Sequence, residues 1–118
     1  MNASITKTDI PILAKLGEAY KKWHLYIQHL PKITRYTLGA KIDNLFTDCI
    51  ELALLASHES KEQKGATLVK LNAKFDSLKF FFKLLWEVKG INTNVFTQIS
   101  KQLAEVGRMI GGWMKHSR

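Results

Sequence analysis

The sequence predicts an all-α protein that folds as an up-down-up-down antiparallel four-helix bundle. Apolar residues recur with the period of an α-helix in four long segments, and short polar stretches separate these segments. The pattern contains neither a pair of alternating strands nor an internal repeat. The 118 residues therefore fit one domain over 1–118, and the 46% hydrophobic content is sufficient for a core without disulfides or structural metals.

The first two predicted helices are separated by Pro31. The first helix is expected from about Pro11 to His29, because its apolar residues follow steps of three and four before the proline. The second is expected over roughly Thr34 to Ser57. The polar run at residues 58–65 follows, and it predicts a loop that ends near Gly65.

The third and fourth predicted helices are separated by a short turn. The third helix is expected from about Ala66 to Val88, with its end around Lys89 and Gly90. Asn92 or Thr93 is a suitable N-cap for the fourth helix, which runs nearly to the end of the sequence. The stripes expected to form the core here are Leu68, Leu71, Phe75, Leu78, Phe82 and Leu85 in the third helix, and Phe96, Ile99, Leu103, Val106, Ile110 and Met114 in the fourth.

A second set of large apolar residues lies away from these core stripes. A bundle helix needs only one apolar stripe, so the extra residues either widen the core or are buried between subunits. A monomer that exposed them would carry an apolar patch of the kind that usually marks association, and we therefore expect a homo-oligomer. The predicted interface residues are Phe80, Phe81, Leu84, Ile50 and Leu54.

The charge balance indicates a polyanionic partner. The formal net charge is +8, and residues 66–118 carry nine basic residues against three acidic ones. Such a surface suits nucleic acid, to which Lys and Arg bind through phosphate without reading the base sequence. For any single line of cations, a solvated helix face is the simpler interpretation. Several lines together favour binding, and the predicted binding residues are Lys79, Lys83, Lys70, Lys74, Lys101, Arg108 and Lys115. Lys15, Lys22 and His29 form a similar line on the first helix.

The sequence contains none of the catalytic or cofactor motifs that would indicate an enzyme. Di-iron bundles need Glu-x-x-His pairs, and none of the four histidines has a glutamate three residues before it. The lone Cys49 lies on an apolar helix face, where an inert buried thiol is expected. No cofactor is predicted. Gly107, Gly111 and Gly112 are expected inside the fourth helix, where close approach of a neighbouring backbone or side chain would explain them.

No stretch is long and apolar enough to span a membrane, and residues 1–13 lack the apolar segment of a signal peptide. We therefore expect a soluble protein of the cytoplasm.

Three stretches of the sequence resemble one protein family. AEVGRMIGGWMK at 104–115 is similar to the fourth-helix signature of the accessory variability determinant (Avd) proteins of diversity-generating retroelements. YKKWHLYIQHLPKITRYTLGAKID at 20–43 and LKFFFKLL at 78–85 resemble the same family. The resemblance thus covers most of the chain.

The resemblance implies a four-helix bundle that assembles into a pentameric barrel with a basic surface and a central pore. It also implies a non-catalytic role beside the reverse transcriptase of the element and its template RNA, or DNA, in a bacterial cell. Lys79 and Lys83 stand where the family tends to have arginine, whereas Arg108 keeps the family residue. Glu105 lies three residues before Arg108 and is expected to hold it in place.

Three other readings remain open from the sequence. The four-helix proteins encoded in intervening sequences of ribosomal RNA genes share the architecture, although the Tyr-Thr-Leu-Gly and Gly-Gly-Trp segments favour the retroelement family. A plain scaffold would use the same cations to bind an acidic protein surface. A membrane-surface protein would insert Phe80 and Phe81 into lipid.

Overall fold

The computed structural model describes residues 10–117, so residues 1–9 and Arg118 lie outside the described part of the chain. The described residues are helical with short connections and contain no strand. The elements are α1 (Ile10–Ile27), α2 (Lys32–Thr34), a π-helical turn (Arg35–Gly39), α3 (Ala40–His58), α4 (Lys61–Glu87) and α5 (Thr93–His116). Because α2, the π turn and α3 follow one another without a break, the chain forms four long helical rods.

The four rods pack as an antiparallel bundle. α1 contacts α3 and α5, and α4 contacts the same two helices, so α1 and α4 lie on one diagonal of a square. Each short connection reverses the chain direction, and the described residues extend over 43 × 27 × 22 Å. The predicted up-down-up-down four-helix architecture is confirmed.

A chain of aromatic rings crosses the core from α1 to the turn between α4 and α5. The indole of Trp23 is fully buried and lies 6.2 Å from the rings of both Phe46 and Phe82, measured between centroids. Phe82 stacks on Phe96 at 5.5 Å, and Phe96 stacks on Trp86 at 4.6 Å. The Trp23 indole N–H donates to Asp43 Oδ1 at 3.2 Å, which satisfies the polar atom of this buried ring.

The end of α1 is capped by a side chain from the next helix. The Arg35 guanidinium donates to the carbonyl oxygens of Gln28 and Leu30 at 2.9 and 3.1 Å. These carbonyls follow the last helical residue, Ile27, and would otherwise lack an intrahelical donor. Arg35 therefore has a structural role in the turn around Pro31.

The π turn is fixed by Gly39, which is buried where α1 ends. A Cβ at this position would lie 3.1 Å from Leu30 Cδ1 and 3.3 Å from the Thr34 carbonyl oxygen, closer than an ordinary van der Waals contact. Thr37 adds a hydrogen bond from its hydroxyl to the Ile33 carbonyl at 2.8 Å. The glycine of the Tyr-Thr-Leu-Gly segment thus permits the close approach of α1 to the π turn.

The predicted loop at residues 58–65 is wrong. α3 continues to His58, only Glu59 and Ser60 are non-helical, and α4 begins at Lys61. The sequence KEQK is polar but consists of good helix formers, and Glu62 suits the positive end of the helix dipole. Polarity alone therefore misplaced this boundary.

α4 ends in a Schellman motif. The amide of Lys89 donates to the Trp86 carbonyl at 2.9 Å, and the amide of Gly90 donates to the Leu85 carbonyl at 2.8 Å. Lys89 has φ 66°, a left-handed conformation in which glycine is normally found. A Cβ on Gly90 would overlap the Leu85 side chain, so this position requires glycine.

α5 begins with the predicted Asn92 cap and approaches α4 closely at one glycine. The Asn92 side chain accepts a hydrogen bond from the Val95 amide at 2.8 Å. A Cβ on Gly107 would lie 3.2 Å from Phe75 Cε2, which confirms the close approach expected there. Gly111 and Gly112 differ: an added Cβ would meet nothing within 4 Å among the described residues.

Candidate nucleic-acid interface

Five of the predicted binding residues lie on the surface formed by α4 and α5. On α5, Phe96 and Gly107 face α4. Lys101, Arg108 and Lys115 are spaced by seven residues and lie on the side of α5 opposite the core. On α4, Lys79 and Lys83 lie on the side that faces α5, as Trp86 does one turn later. We call this surface the α4–α5 face, and its cations are Lys79, Lys83, Lys101, Arg108 and Lys115.

Most cations of the α4–α5 face are free to bind a partner. All five are exposed, and all but Lys79 have no hydrogen bond or ion pair within residues 10–117. The Lys79 ammonium lies 3.6 Å from Asp76 Oδ1 and 5.3 Å from the centroid of the Phe75 ring. An exposed pair of this kind is weak, so Lys79 can exchange Asp76 for a phosphate.

The expectation that Glu105 holds Arg108 is wrong. The carboxylate of Glu105 lies on the α1 side of α5, where its Oε1 is 3.6 Å from the Lys15 ammonium. Lys22, about two turns further along α1, donates to Gln98 on α5 at 3.4 Å. Lys15 and Lys22 therefore link α1 to α5, whereas Arg108 forms no ion pair with an acidic residue of its own helix.

Lys70 and Lys74 lie on a different surface from the other five cations. Lys74 lies beside α3, where its ammonium is 3.1 Å from Asp48 Oδ2. The two lysines line a groove of about 430 Å³ between α3 and α4, together with Lys41 from α3 and an apolar floor that includes Leu45. The seven predicted cations thus occupy two faces of the bundle.

The five predicted interface residues do not form one patch. Ile50 and Phe81 are half-buried against the core, as the wider-core interpretation expects, and Phe81 lies beneath the Lys41 ammonium at 5.5 Å from its ring centroid. Phe80 is 60% exposed and Leu54 is 44% exposed. Leu84 is half-buried.

Two separate apolar patches result from this arrangement. On α4, Phe80 and Leu84 point outward, and the exposed Val88 extends the same line by one more turn. On α3, Ile50 and Leu54 follow Phe46, which contacts α1, so they lie on the α1 side of that helix. The sequence interpretation missed Val88, although its spacing of four from Leu84 was a signal.

Two further exposed apolar residues lie on α2 and on the π turn, and the sequence interpretation did not single them out. Ile33 is 75% exposed and Tyr36 is 66% exposed. Tyr36 follows the altered register of the π turn, so the ordinary helical period does not predict where its side chain points.

The buried titratable groups belong to the core. Burial, with a smaller contribution from Asp48, raises the pKa of the Cys49 thiol to about 12, so it stays protonated at neutral pH. Burial and then the hydrogen bond and charge of Asp43 raise the pKa of Tyr20. Residues 10–117 contain no group of three His, Cys, Asp or Glu side chains able to hold a metal ion.

Over the same residues, no helix has the length and apolar content needed to cross a membrane.

The sequence matches no curated protein. A family model described as bAvd-like matches residues 12–117, which span every helix of the bundle from the start of α1 to the end of α5. The match confirms the resemblance given by the stretches at 20–43, 78–85 and 104–115, and the chain belongs to the bAvd-like family.

Proposed function

We propose that the protein is a non-catalytic accessory protein of a diversity-generating retroelement. In this role it binds the element's reverse transcriptase and its template RNA, or DNA, through basic surfaces and supports mutagenic reverse transcription. Membership of the bAvd-like family supports the accessory role. The single observation that carries nucleic-acid binding is the set of unpaired cations on the α4–α5 face.

The spacing of these cations suits a phosphate backbone. Lys101, Arg108 and Lys115 are seven residues apart, which places each about 10.5 Å from the next along the helix axis. Repulsion between such unneutralised cations is relieved when a polyanion binds. Contacts of this kind supply affinity and position, and base sequence does not affect them.

The salt dependence of RNA binding tests this proposal. Each phosphate contact to a single strand contributes about 0.7 to the slope of log K against log salt concentration. We expect Lys101→Ala/Arg108→Ala to lower the magnitude of this slope by about 1.4. Lys79→Ala/Lys83→Ala is expected to lower it by a similar amount.

A matched control removes the same number of charges elsewhere. Lys15 and Lys22 lie on α1 and contact Glu105 and Gln98 on the α1 side of α5, so Lys15→Ala/Lys22→Ala lowers the net charge equally but leaves every cation of the α4–α5 face in place. We expect the slope of this control to stay within about 0.3 of the original value. Equal slopes for all three double variants, or no RNA binding at low salt, would contradict the proposal.

Binding of the reverse transcriptase is tested separately by co-purification of the tagged enzyme from the same element. A protein that binds this enzyme but never RNA would be an interaction scaffold for an acidic protein surface. The gene neighbourhood gives an independent check, because a reverse transcriptase gene and a paired variable and template repeat are expected beside this one.

We further propose self-association into the homo-pentamer that the family resemblance implies. A ring requires a contact between two different surfaces of each subunit. The separate patches at Phe80 and Leu84 on α4 and at Ile50 and Leu54 on α3 support such a head-to-tail contact. Light scattering after gel filtration is expected to give five times the 13.5 kDa chain mass, and Phe80→Glu is expected to reduce it. A 13.5 kDa species at micromolar protein would contradict the proposal.

A further inference from the structure

A surface cavity lies where the turn between α4 and α5 meets the aromatic chain of the core. Its volume is about 780 Å³, and its lining includes Trp86, Glu87, Lys89 and Asn92. Trp86 follows Lys83 by three residues on the same side of α4. The cavity therefore lies just beyond Lys79 and Lys83 along that helix. It therefore continues the α4–α5 face.

The Trp86 ring is held rigidly at this position. It stacks on Phe96 with an interplanar angle of 10° and a centroid distance of 4.6 Å, and its indole N–H donates to Thr93 Oγ1 at 3.2 Å. Phe96 in turn stacks on Phe82, which is buried. Phe96 thus covers one face of the indole, Thr93 satisfies its polar edge, and Trp86 also lines the cavity.

The other two tryptophans cannot serve as a platform for a ligand. Trp23 is fully buried, and Trp113 is 9% exposed. Trp86 alone among the three is only half-buried. A flat aromatic ring beside a cationic track is the arrangement by which proteins bind single-stranded nucleic acid, with a base on the ring and the phosphates on the cations.

The charges around the cavity suit the same ligand. Lys83 lies one turn before Trp86, and the left-handed backbone of Lys89 is fixed by the hydrogen bonds that end α4. Glu87 contributes one negative charge to the lining, so the two lysines leave this region net positive. Lys89 lines the same cavity as Trp86, so both a ring and a cation face a ligand that occupies it.

We propose that Trp86 is a stacking platform for an unpaired base of single-stranded RNA, with Lys83 and Lys89 binding the adjoining phosphates. This inference rests on the proposed RNA binding and adds a contact to the base, which the cations alone do not supply. Because every base has a π face, the contact tolerates different base sequences.

The experiment compares a 12-nucleotide RNA with an abasic oligomer of the same length and charge at one salt concentration. Stacking on an aromatic side chain is worth about 1–3 kcal/mol per base, which is about a 5- to 150-fold difference in affinity. We expect the unmodified protein to prefer the RNA by a factor in this range. Trp86→Leu is expected to lose the preference and to keep its binding of the abasic oligomer.

Two variants serve as controls. Trp113→Phe also removes one tryptophan but leaves the cavity unchanged, so it is expected to keep the full preference. Trp86→Phe retains an aromatic ring at the site and is expected to keep part of the preference for RNA over the abasic oligomer. Circular dichroism melts verify that each variant is folded.

The fluorescence of the unmodified protein gives a second readout that needs no variant. We expect the RNA to quench tryptophan emission at saturation and the abasic oligomer to leave it unchanged. Equal affinity for the two oligomers, or an RNA preference retained by Trp86→Leu, would overturn the stacking contact while RNA binding through the cations stands. Quenching by polyglutamate but not by RNA would also overturn it, and the absence of RNA binding at low salt would overturn the proposed function itself.

Discussion

Replacing Gly107 by alanine tests whether the approach of α5 to α4 is as close as the structure has it. Alanine in a helix interior is about 1 kcal/mol more favourable than glycine. Here its Cβ would lie 3.2 Å from Phe75 Cε2, closer than an ordinary van der Waals contact, and Phe75 is 1% exposed within the core. Overpacking a tight core costs about 1–3 kcal/mol, so we expect Gly107→Ala to lower the free energy of unfolding by about 0–2 kcal/mol.

The matched control is Gly111→Ala in the same helix, where the added Cβ meets nothing within 4 Å among the described residues. This variant is expected to gain about 1 kcal/mol from helix propensity alone. Urea unfolding followed by circular dichroism at 222 nm measures both variants, with unchanged m values as the check on two-state unfolding. Equal stabilisation by the two substitutions would show that Phe75 yields to the new methyl group, and the reasoning from close packing would be refuted.

Three further predictions follow from the helix ends and the core. Lys89→Gly relieves the left-handed strain at the end of α4, and thermal unfolding is expected to show a gain of about 0.5–1 kcal/mol. Asn92→Ala removes the cap of α5 and is expected to cost about 1 kcal/mol in the same assay. Cys49 is expected to resist iodoacetamide at pH 8 until denaturant is added. Because its folded pKa is raised to about 12, its contribution to stability is present below the unfolded pKa and is lost as the pH rises towards 12, a loss that Cys49→Ala is expected to lack.

The bundle could be predicted from the sequence because its helices keep a regular apolar period and end at strong local signals. Pro31 and Asn92 mark boundaries that the structure confirms within a few residues. The predicted boundary before α4 is wrong, because polarity by itself predicts a loop whereas the polar residues from Lys61 onward are good helix formers. The composition therefore shows that this segment is polar but does not predict that it is helical.

The candidate site was harder to predict because it depends on which helices are neighbours. The helical period places Lys74 and Lys79 on opposite sides of the exposed apolar residues of α4. Only the packing of α3 and α5 against α4 shows that the two lysines belong to different surfaces. The pairing of Lys15 with Glu105 joins residues on different helices, and no local spacing predicts it. Trp86 was missed for a related reason: its role depends on Phe96, which follows it after a turn.

The neighbour relations of the helices have a consequence for how the chain folds. Three of the four helix contacts join rods that follow one another in sequence, and contacts so local in the chain are typical of proteins that fold within microseconds to milliseconds. Only the contact between α1 and α5 joins helices that are far apart in the sequence, and Lys22 and Gln98 in this contact are separated by 76 positions. This contact closes the longest loop of the four, and its loop-closure entropy cost is therefore the largest, although that cost grows only slowly with loop length. The pairings of α1 with α3 and of α3 with α4 can form during synthesis, whereas both contacts of α5 must wait until that helix has left the ribosome.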